Sequence, residues 1–133
     1  MTEVLVDSNI LISALIFPNG AVSEALRLAI RTHYIAFTDT IIIEFKRVIS
    51  IKWPDKTREI EPFLADFQYR LLPPSDYSQV LMRDPDDQPN LNAAMAEDVD
   101  IILTGDADYS VLEIERPRIM TARQYLTQFA GQR

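Results

Sequence analysis

The sequence predicts an α/β fold of three layers, with helices on both faces of a central parallel β-sheet. Two observations predict it. Short apolar runs, Val4 to Val6, Tyr34 to Phe37 and Ile101 to Leu103, alternate with longer segments of helical periodicity. Strand alternating with helix is the pattern of a parallel sheet covered on both sides. Carboxylates also sit just past the strand-like runs: Asp7 follows Val6, and Asp106 follows Leu103-Thr104-Gly105. Parallel strands all end on one edge of the sheet, and ligands bind in the crevice there. Acids far apart in the chain are therefore expected to converge.

The elements follow in order. Val4 to Asp7 reads as a short buried strand, and a helix follows from Ser8 or Asn9 through Leu15. Phe17-Pro18-Asn19-Gly20 is a turn. Ala21 to Arg31 is a helix, with Val22, Ala25, Leu26 and Ala29 at helical spacing. Tyr34 to Phe37 is the second strand. Thr38 or Asp39 caps a helix to about Ile49. Trp53-Pro54 breaks it, and Lys56 to Tyr69 resumes helically, with Ile60, Phe63, Leu64 and Phe67 on one face. Arg70 to Leu72 reads as a short strand. Asp84 to Asp87 is a turn, and Pro89 suits the first turn of a helix to Glu97. Val99 to Leu103 is the clearest strand. A short helix or turn follows Asp106, Arg118 to Met120 is the last strand, and Thr121 caps the final helix.

Composition narrows the chemistry. The 133 residues fit one domain, 1–133, and that length can bury a core without staples. There is no cysteine, which excludes disulfides, thiol nucleophiles, zinc ribbons and iron–sulfur clusters. One histidine, His33, excludes a multi-histidine metal site; no partner for it is recognisable, and it reads as a surface or boundary residue. Only Gly20, Gly105 and Gly131 are glycines, so no glycine-rich phosphate loop can be written. The first residues lack a basic region, and no apolar run approaches about 20 residues. A cytoplasmic protein that makes no membrane contact is expected. The net charge of −7 argues against passive nucleic-acid binding. It is compatible with acids clustered at a metal and bases on the flanks.

Each acid has a bland reading beside a functional one. Asp7 is either a helix N-cap or a site carboxylate. On a helical wheel with Ile41 at the origin, Phe45, Val48 and Ile49 surround the apolar arc and Glu44 falls about 60° to one side, at its border. Glu44 is thus a salt-bridged border residue or an acid held at the rim of the core. Asp84, Asp86 and Asp87 crowd one turn before a helix rich in small residues. Asp87 is the first choice there and Asp84 the second. Thr104 and Asp106 follow the best strand, as a turn and cap or as a hydroxyl and carboxylate aimed into the site. Asp108 is an outer acid or a solvated one. Trp53 reads as a packing anchor. Residues 46–58 hold Lys46, Arg47, Lys52, Lys56 and Arg58 against one acid, Asp55. This is a solvated helix face or a hold for phosphates. Several carboxylates at one point repel unless a hard cation neutralises them, and Mg²⁺ or Mn²⁺ is the expected ion.

The run Val4-Leu5-Val6-Asp7-Ser8-Asn9-Ile10-Leu11, then Phe17 to Gly20, Glu44, Asp84-Pro85-Asp86-Asp87 and Ile101 to Asp106 resembles the PIN-domain family. It is most similar to the branch of toxin components from toxin–antitoxin systems, relatives of VapC-type toxins. The resemblance spans nearly the whole chain in the family's order. It implies a PIN-like, Rossmann-like sheet and a Mg²⁺- or Mn²⁺-dependent endoribonuclease acting on single-stranded RNA. Its first acid falls on Asp7, its second on Glu44, its third on the Asp84–Asp87 turn, most naturally Asp87, and its last on Asp106. Asn9 and Thr104 match supporting polar positions, and Ser8 keeps the hydroxyl of a position where threonine is common. A cognate antitoxin and a homodimer are expected by the same analogy. In this reading the ions would lower the pKa of a bound water and stabilise charge on the leaving oxygen.

Two rival classes are distinguishable. An aspartyl-phosphate phosphatase of the haloacid dehalogenase type wants a second aspartate two residues after the nucleophile, where this chain has Asn9. A receiver domain wants a lysine just after a late strand, and Leu103 to Asp106 offers none. The third reading is a catalytically silent PIN-like binding or regulatory module, against which the intact set of acids argues.

Overall fold

The structure, a computed structural model, describes residues 1–76 and 80–132. Its strands are β1 (Glu3–Val6), β2 (Tyr34–Phe37), β3 (Arg70–Leu71), β4 (Ile101–Leu103) and β5 (Arg118–Met120). Its α-helices are α1 (Ser8–Ile16), α2 (Ala21–Thr32), α3 (Asp39–Lys52), α4 (Ile60–Ala65), α5 (Gln88–Ala96), α6 (Ala107–Ser110) and α7 (Ala122–Phe129). The strands form one parallel sheet in the order β3-β2-β1-β4-β5. The chain starts in the centre, winds outward through β2 and β3, then crosses to the other side of β1 for β4 and β5. The strand order therefore reverses between β1 and β4, and this is where a crevice opens at the carboxyl ends. The fold is the expected three-layer α/β/α arrangement.

Burial explains the short strands. Val4, Leu5, Val6, Ile102 and Leu103 are inaccessible to solvent. Side chains of that kind stabilise by about 1.5–3 kcal/mol each when fully buried. A three- or four-residue strand suffices when both of its faces are covered. In α3 the buried residues Ile41, Phe45 and Ile49 recur every four positions, as an amphipathic helix requires. Thr38 caps that helix by accepting from the Ile41 amide at 3.1 Å. Thr121 and Gln124 form a reciprocal capping box at the start of α7. Helix α2 packs against α1 and α7, and α3 against α1 and α5. No single helix among the described residues is long and apolar enough to cross a membrane.

One local expectation is corrected. The segment after Trp53 is a 3₁₀ turn, Pro54–Glu59, followed by a helix that stops at Ala65, not a helix to Tyr69. Pro62 lacks the N–H that would reach back into the 3₁₀ turn, so the α-helix starts afresh at Ile60. At the other end Phe67 and Tyr69 leave the helix to pack on Phe37 of β2, with ring centroids 6.2 and 4.9 Å away. That contact directs the chain into β3. His33, which has no recognisable partner in the sequence, places Nδ1 2.6 Å from the hydroxyl of the buried Tyr125 and its ring 4.8 Å from that of Phe129. It is a boundary residue tying α2 to α7. Trp53 is half-buried against the core, in keeping with an anchor.

Candidate metal centre

The site begins with two backbone hydrogen bonds that prolong the sheet. Asp7 N–H donates to Leu103 C=O, and Thr104 N–H donates to Met120 C=O, both at 3.0 Å. They fix Asp7 and Thr104 side by side at the carboxyl edge, beside the crossover between β1 and β4. Thr104 then joins three elements. Its Oγ1 donates to Asp7 Oδ2 at 2.7 Å and accepts from the Asp106 amide at 3.0 Å. Asp7 Oδ1 accepts from the Ser8 amide at 2.9 Å, so Asp7 is a helix cap as well as a member of the acid cluster. Asn9 Oδ1 accepts from Gly105 N–H at 3.3 Å and holds the loop after β4.

Thr104→Val removes this junction at nearly constant volume. It leaves a buried carboxylate oxygen and an amide without their partner, at an expected cost of about 1–3 kcal/mol. Because the threonine hydroxyl lowers the Asp7 pKa, its loss should also weaken Mn²⁺ binding near neutral pH. Urea unfolding and a Mn²⁺ titration read the two effects separately. Reduced stability with unchanged Mn²⁺ affinity would confine Thr104 to folding.

The other acids arrive from α3, the 3₁₀ turn Pro85–Asp87 and the start of α6. Asp87 is buried at the end of that turn, where α5 begins. Asp84 caps the turn through the Asp86 amide, and Asp106 caps α6 through the Asp108 amide, both at 2.9 Å. Glu44 is half-buried on α3. One oxygen from each of Asp84, Asp87 and Asp108 lies within 4.8 Å of the others. Asp84 and Asp108, expected only as supporting acids, therefore stand directly beside Asp87. Arg83 reaches Asp108 at 2.8 Å and partly neutralises this flank.

Electrostatics tie the two groups together. Burial is the first cause that pushes Asp7 up to about 6; the Thr104 and Ser8 hydrogen bonds oppose it, while Glu44 and Asp106 add to it. Asp87 is pushed up to about 7, first by burial and then by Asp7, Asp106, Asp84 and Glu44. Asp7, Glu44, Asp87 and Asp106 thus feel one another's charge although they come from four separate stretches of chain. Asp87 Oδ2 is buried and has no hydrogen-bond partner among the described residues. An ionised carboxylate left so costs several kcal/mol unless a cation meets it. The donors are all carboxylate oxygens, which suits a hard divalent cation such as Mg²⁺ or Mn²⁺.

Two residues near the acids escaped the sequence reading. Asn90, buried on α5, accepts from the Thr38 hydroxyl and lies in hydrogen-bonding contact with the phenol of Tyr109. Tyr109 is fully buried on α6, and its phenol is pushed strongly up by burial and by the charges of Asp7 and Asp87. The available signal was the pair Asn90 and Asn92 on either side of Leu91, in a helix that continues with small apolar residues. The basic segment is only partly free. Lys46 pairs with Glu61 at 3.0 Å and Lys56 with Glu59 at 3.4 Å. Arg47, Lys52 and Arg58 are exposed and make no ion pair among the described residues. A wider cavity, about 710 Å³, lies at the opposite edge of the sheet, by Glu3, Tyr34 and Arg70. There Arg70 already holds Glu3 and Glu97 at 2.8–2.9 Å, so that edge has no uncompensated acid cluster.

The PIN-domain family model matches residues 3–108, the stretch that carries every one of these acids. The chain belongs to the PIN-domain family. Two solved structures share the fold of this PIN domain. VapBC2 from Rickettsia felis, bound to a DNA fragment from its promoter, superposes with a TM-score of 0.70 at 15% identity, covering 90% of this chain and 98% of that one. PAE2754 from Pyrobaculum aerophilum superposes with a TM-score of 0.63 at 18% identity, covering 98% and 96%. No curated protein matches the sequence.

Proposed function

We propose that this PIN domain is a Mg²⁺- or Mn²⁺-dependent endoribonuclease that cleaves single-stranded RNA and serves as the toxin of a toxin–antitoxin pair. Membership of the family makes it a nuclease of the PIN class. The observation that carries the metal dependence is the buried, unpartnered Oδ2 of Asp87 among Asp7, Glu44, Asp84 and Asp106. Burial, with neighbouring charges adding to it, raises the pKa values of Asp7 and Asp87, and only a cation turns that arrangement from a liability into a binding site.

In this reading Asp7, Glu44, Asp87 and Asp106 hold the cation or cations. Asp84 and Asp108 flank them. Thr104, Ser8 and Asn9 hold Asp7 and the β4–α6 loop in place. When bound, the metal supplies an activated water and neutralises charge on the phosphate. Arg47, Lys52 and Arg58 are available for phosphates, and Lys46 and Lys56 would have to leave their glutamates to join them. The R. felis structure is a VapBC2 complex on promoter DNA, which supports the proposal of a DNA-binding antitoxin as partner. A single domain over 1–133, a homodimer and residence in the cytoplasm complete the proposal.

The test is a panel of single-stranded RNA, duplex RNA and single-stranded DNA with the full chain in Mn²⁺, Mg²⁺ or EDTA. Cutting is expected for single-stranded RNA with either metal and is absent in EDTA. Cutting that survives EDTA, or survives in Asp7→Asn, belongs to another nuclease. Mn²⁺ binding without cutting of any substrate would favour a silent binding module.

A further inference from the structure

An acid cluster repels the polyanion it is proposed to cut, so the RNA must be gripped beyond it. A groove of about 290 Å³ leaves the cluster at Asp106 and Thr104 and runs to Ile119, Thr121 and Gln124. A second, of about 480 Å³, shares Ile119 and Gln124 with the first and continues past Arg118 and Arg123. Ile119 and Gln124 line both, so the two adjoin as a track from Asp106 toward two guanidinium groups.

Gln124 stands at the join and is held before any ligand arrives. Its Oε1 accepts from Thr121 N–H at 2.9 Å, and its backbone N–H donates to Thr121 Oγ1 at 3.2 Å. Its side-chain amide nitrogen has no partner among the described residues. Arg123 is exposed and has no carboxylate within reach there. Arg118 donates from Nη2 to Gln128 Oε1 at 2.8 Å and meets no acid among the described residues. Arg70, Arg83 and Arg116 differ, for each is bound to a carboxylate. Ile119, half-buried, lines both grooves with an apolar wall. None of the five cations of residues 46–58 lines either groove.

We propose that this track takes the single-stranded RNA flanking the scissile bond, with Arg123 on a phosphate and the Gln124 amide nitrogen on a phosphate or ribose oxygen. The proposal rests on the ribonuclease reading and names the surface that reading lacks. A guanidinium fork suits phosphate, and a fixed amide donor suits a sugar or phosphate oxygen. A protein strand could add to the open edge of β5, but it would have no need of a track that begins at Asp106.

The experiment uses the full chain carrying Asp7→Asn, so that cutting does not interfere. A labelled single-stranded RNA is bound in Mn²⁺ over a salt series. Arg123→Gln is expected to weaken binding roughly 3- to 10-fold at low salt and to reduce the salt slope by about 0.7, the value of one phosphate on a single strand. Gln124→Glu can keep the capping box, so the fold is retained while a negative charge enters the join; it is also expected to weaken binding. Mn²⁺ affinity should stay constant in both. Unchanged binding and slope in Arg123→Gln and Gln124→Glu overturn the track and leave the ribonuclease reading standing. A shift in oligomeric state with RNA binding intact also overturns it, assigning the groove to a protein contact. If the parent binds Mn²⁺ but no RNA at any salt, the ribonuclease reading fails and takes the track with it.

Discussion

Asp87→Asn will lower metal-dependent RNA cleavage by about 10³-fold or more and will at the same time stabilise the metal-free protein. The first effect corresponds to about 4 kcal/mol of lost transition-state stabilisation, a plausible size for a damaged metal site. The second follows from burial. Asp87 carries a carboxylate whose pKa is raised from 3.8 to about 7 and whose Oδ2 has no partner. Above neutral pH the folded chain must ionise it in place, at a cost on the order of 2–4 kcal/mol. An amide is neutral and can donate to the neighbouring carboxylates. For a chain of this size roughly 3 °C of melting temperature accompanies each kcal/mol, so the metal-free variant should melt several degrees higher at pH 8. A variant that is inactive but less stable than the parent would mean that Asp87 serves the fold rather than a cation.

The metal-free protein should also lose stability as pH rises from about 4 to about 7. Asp7 and Asp87 titrate near 6 and 7 in the folded chain, against an ordinary value of 3.8. In that window the folded state holds protons that the unfolded state has released, so stability falls with increasing pH. The penalty is absent below about pH 4 and complete above about pH 7, where it amounts to a few kcal/mol for the coupled pair. His33 acts in the opposite direction: burial lowers its pKa below 6.5, so its charging weakens the fold on the acid side. The difference between wild type and Asp87→Asn therefore isolates the carboxylate. Saturating Mn²⁺ should abolish or invert the slope, because protons then compete with the cation. Melting curves in EDTA and in Mn²⁺ at pH 5 and pH 8 measure this. A stripped wild type that gains more stability than Asp87→Asn between pH 5 and pH 8 would rule out the raised carboxylates.

Much of the fold was legible because its signals are local. The apolar runs marked β1, β2 and β4 within two residues. Asp7, Thr38 and Thr121 each cap the helix that follows, and a cap acts over three or four residues. The parallel sheet followed from the alternation of strand and helix, and the convergence of Asp7, Glu44, Asp87 and Asp106 was expected from their places at strand ends or on the helices beside them. The sequence by itself also excluded thiol, multi-histidine and glycine-loop chemistry, since the residues are absent.

Only tertiary structure decided which groups meet. Asp84 and Asp108 lie beside Asp87 because a 3₁₀ turn and the cap of α6 aim them together, and no periodicity encodes that. His33 and Tyr125 are 92 positions apart. Lys46 reaches Glu61 because Pro62 and Pro54 restart the chain and fold it back on α3. The helix expected to reach Tyr69 ends at Ala65 because a strand's aromatic face outbids local propensity. The track toward Arg123 exists only once β5 lies next to β4. Propensity, capping and binary pattern act within a few residues and can be read along the chain. Desolvation, charge coupling and cavity shape depend on contacts between distant segments, and the fold creates them.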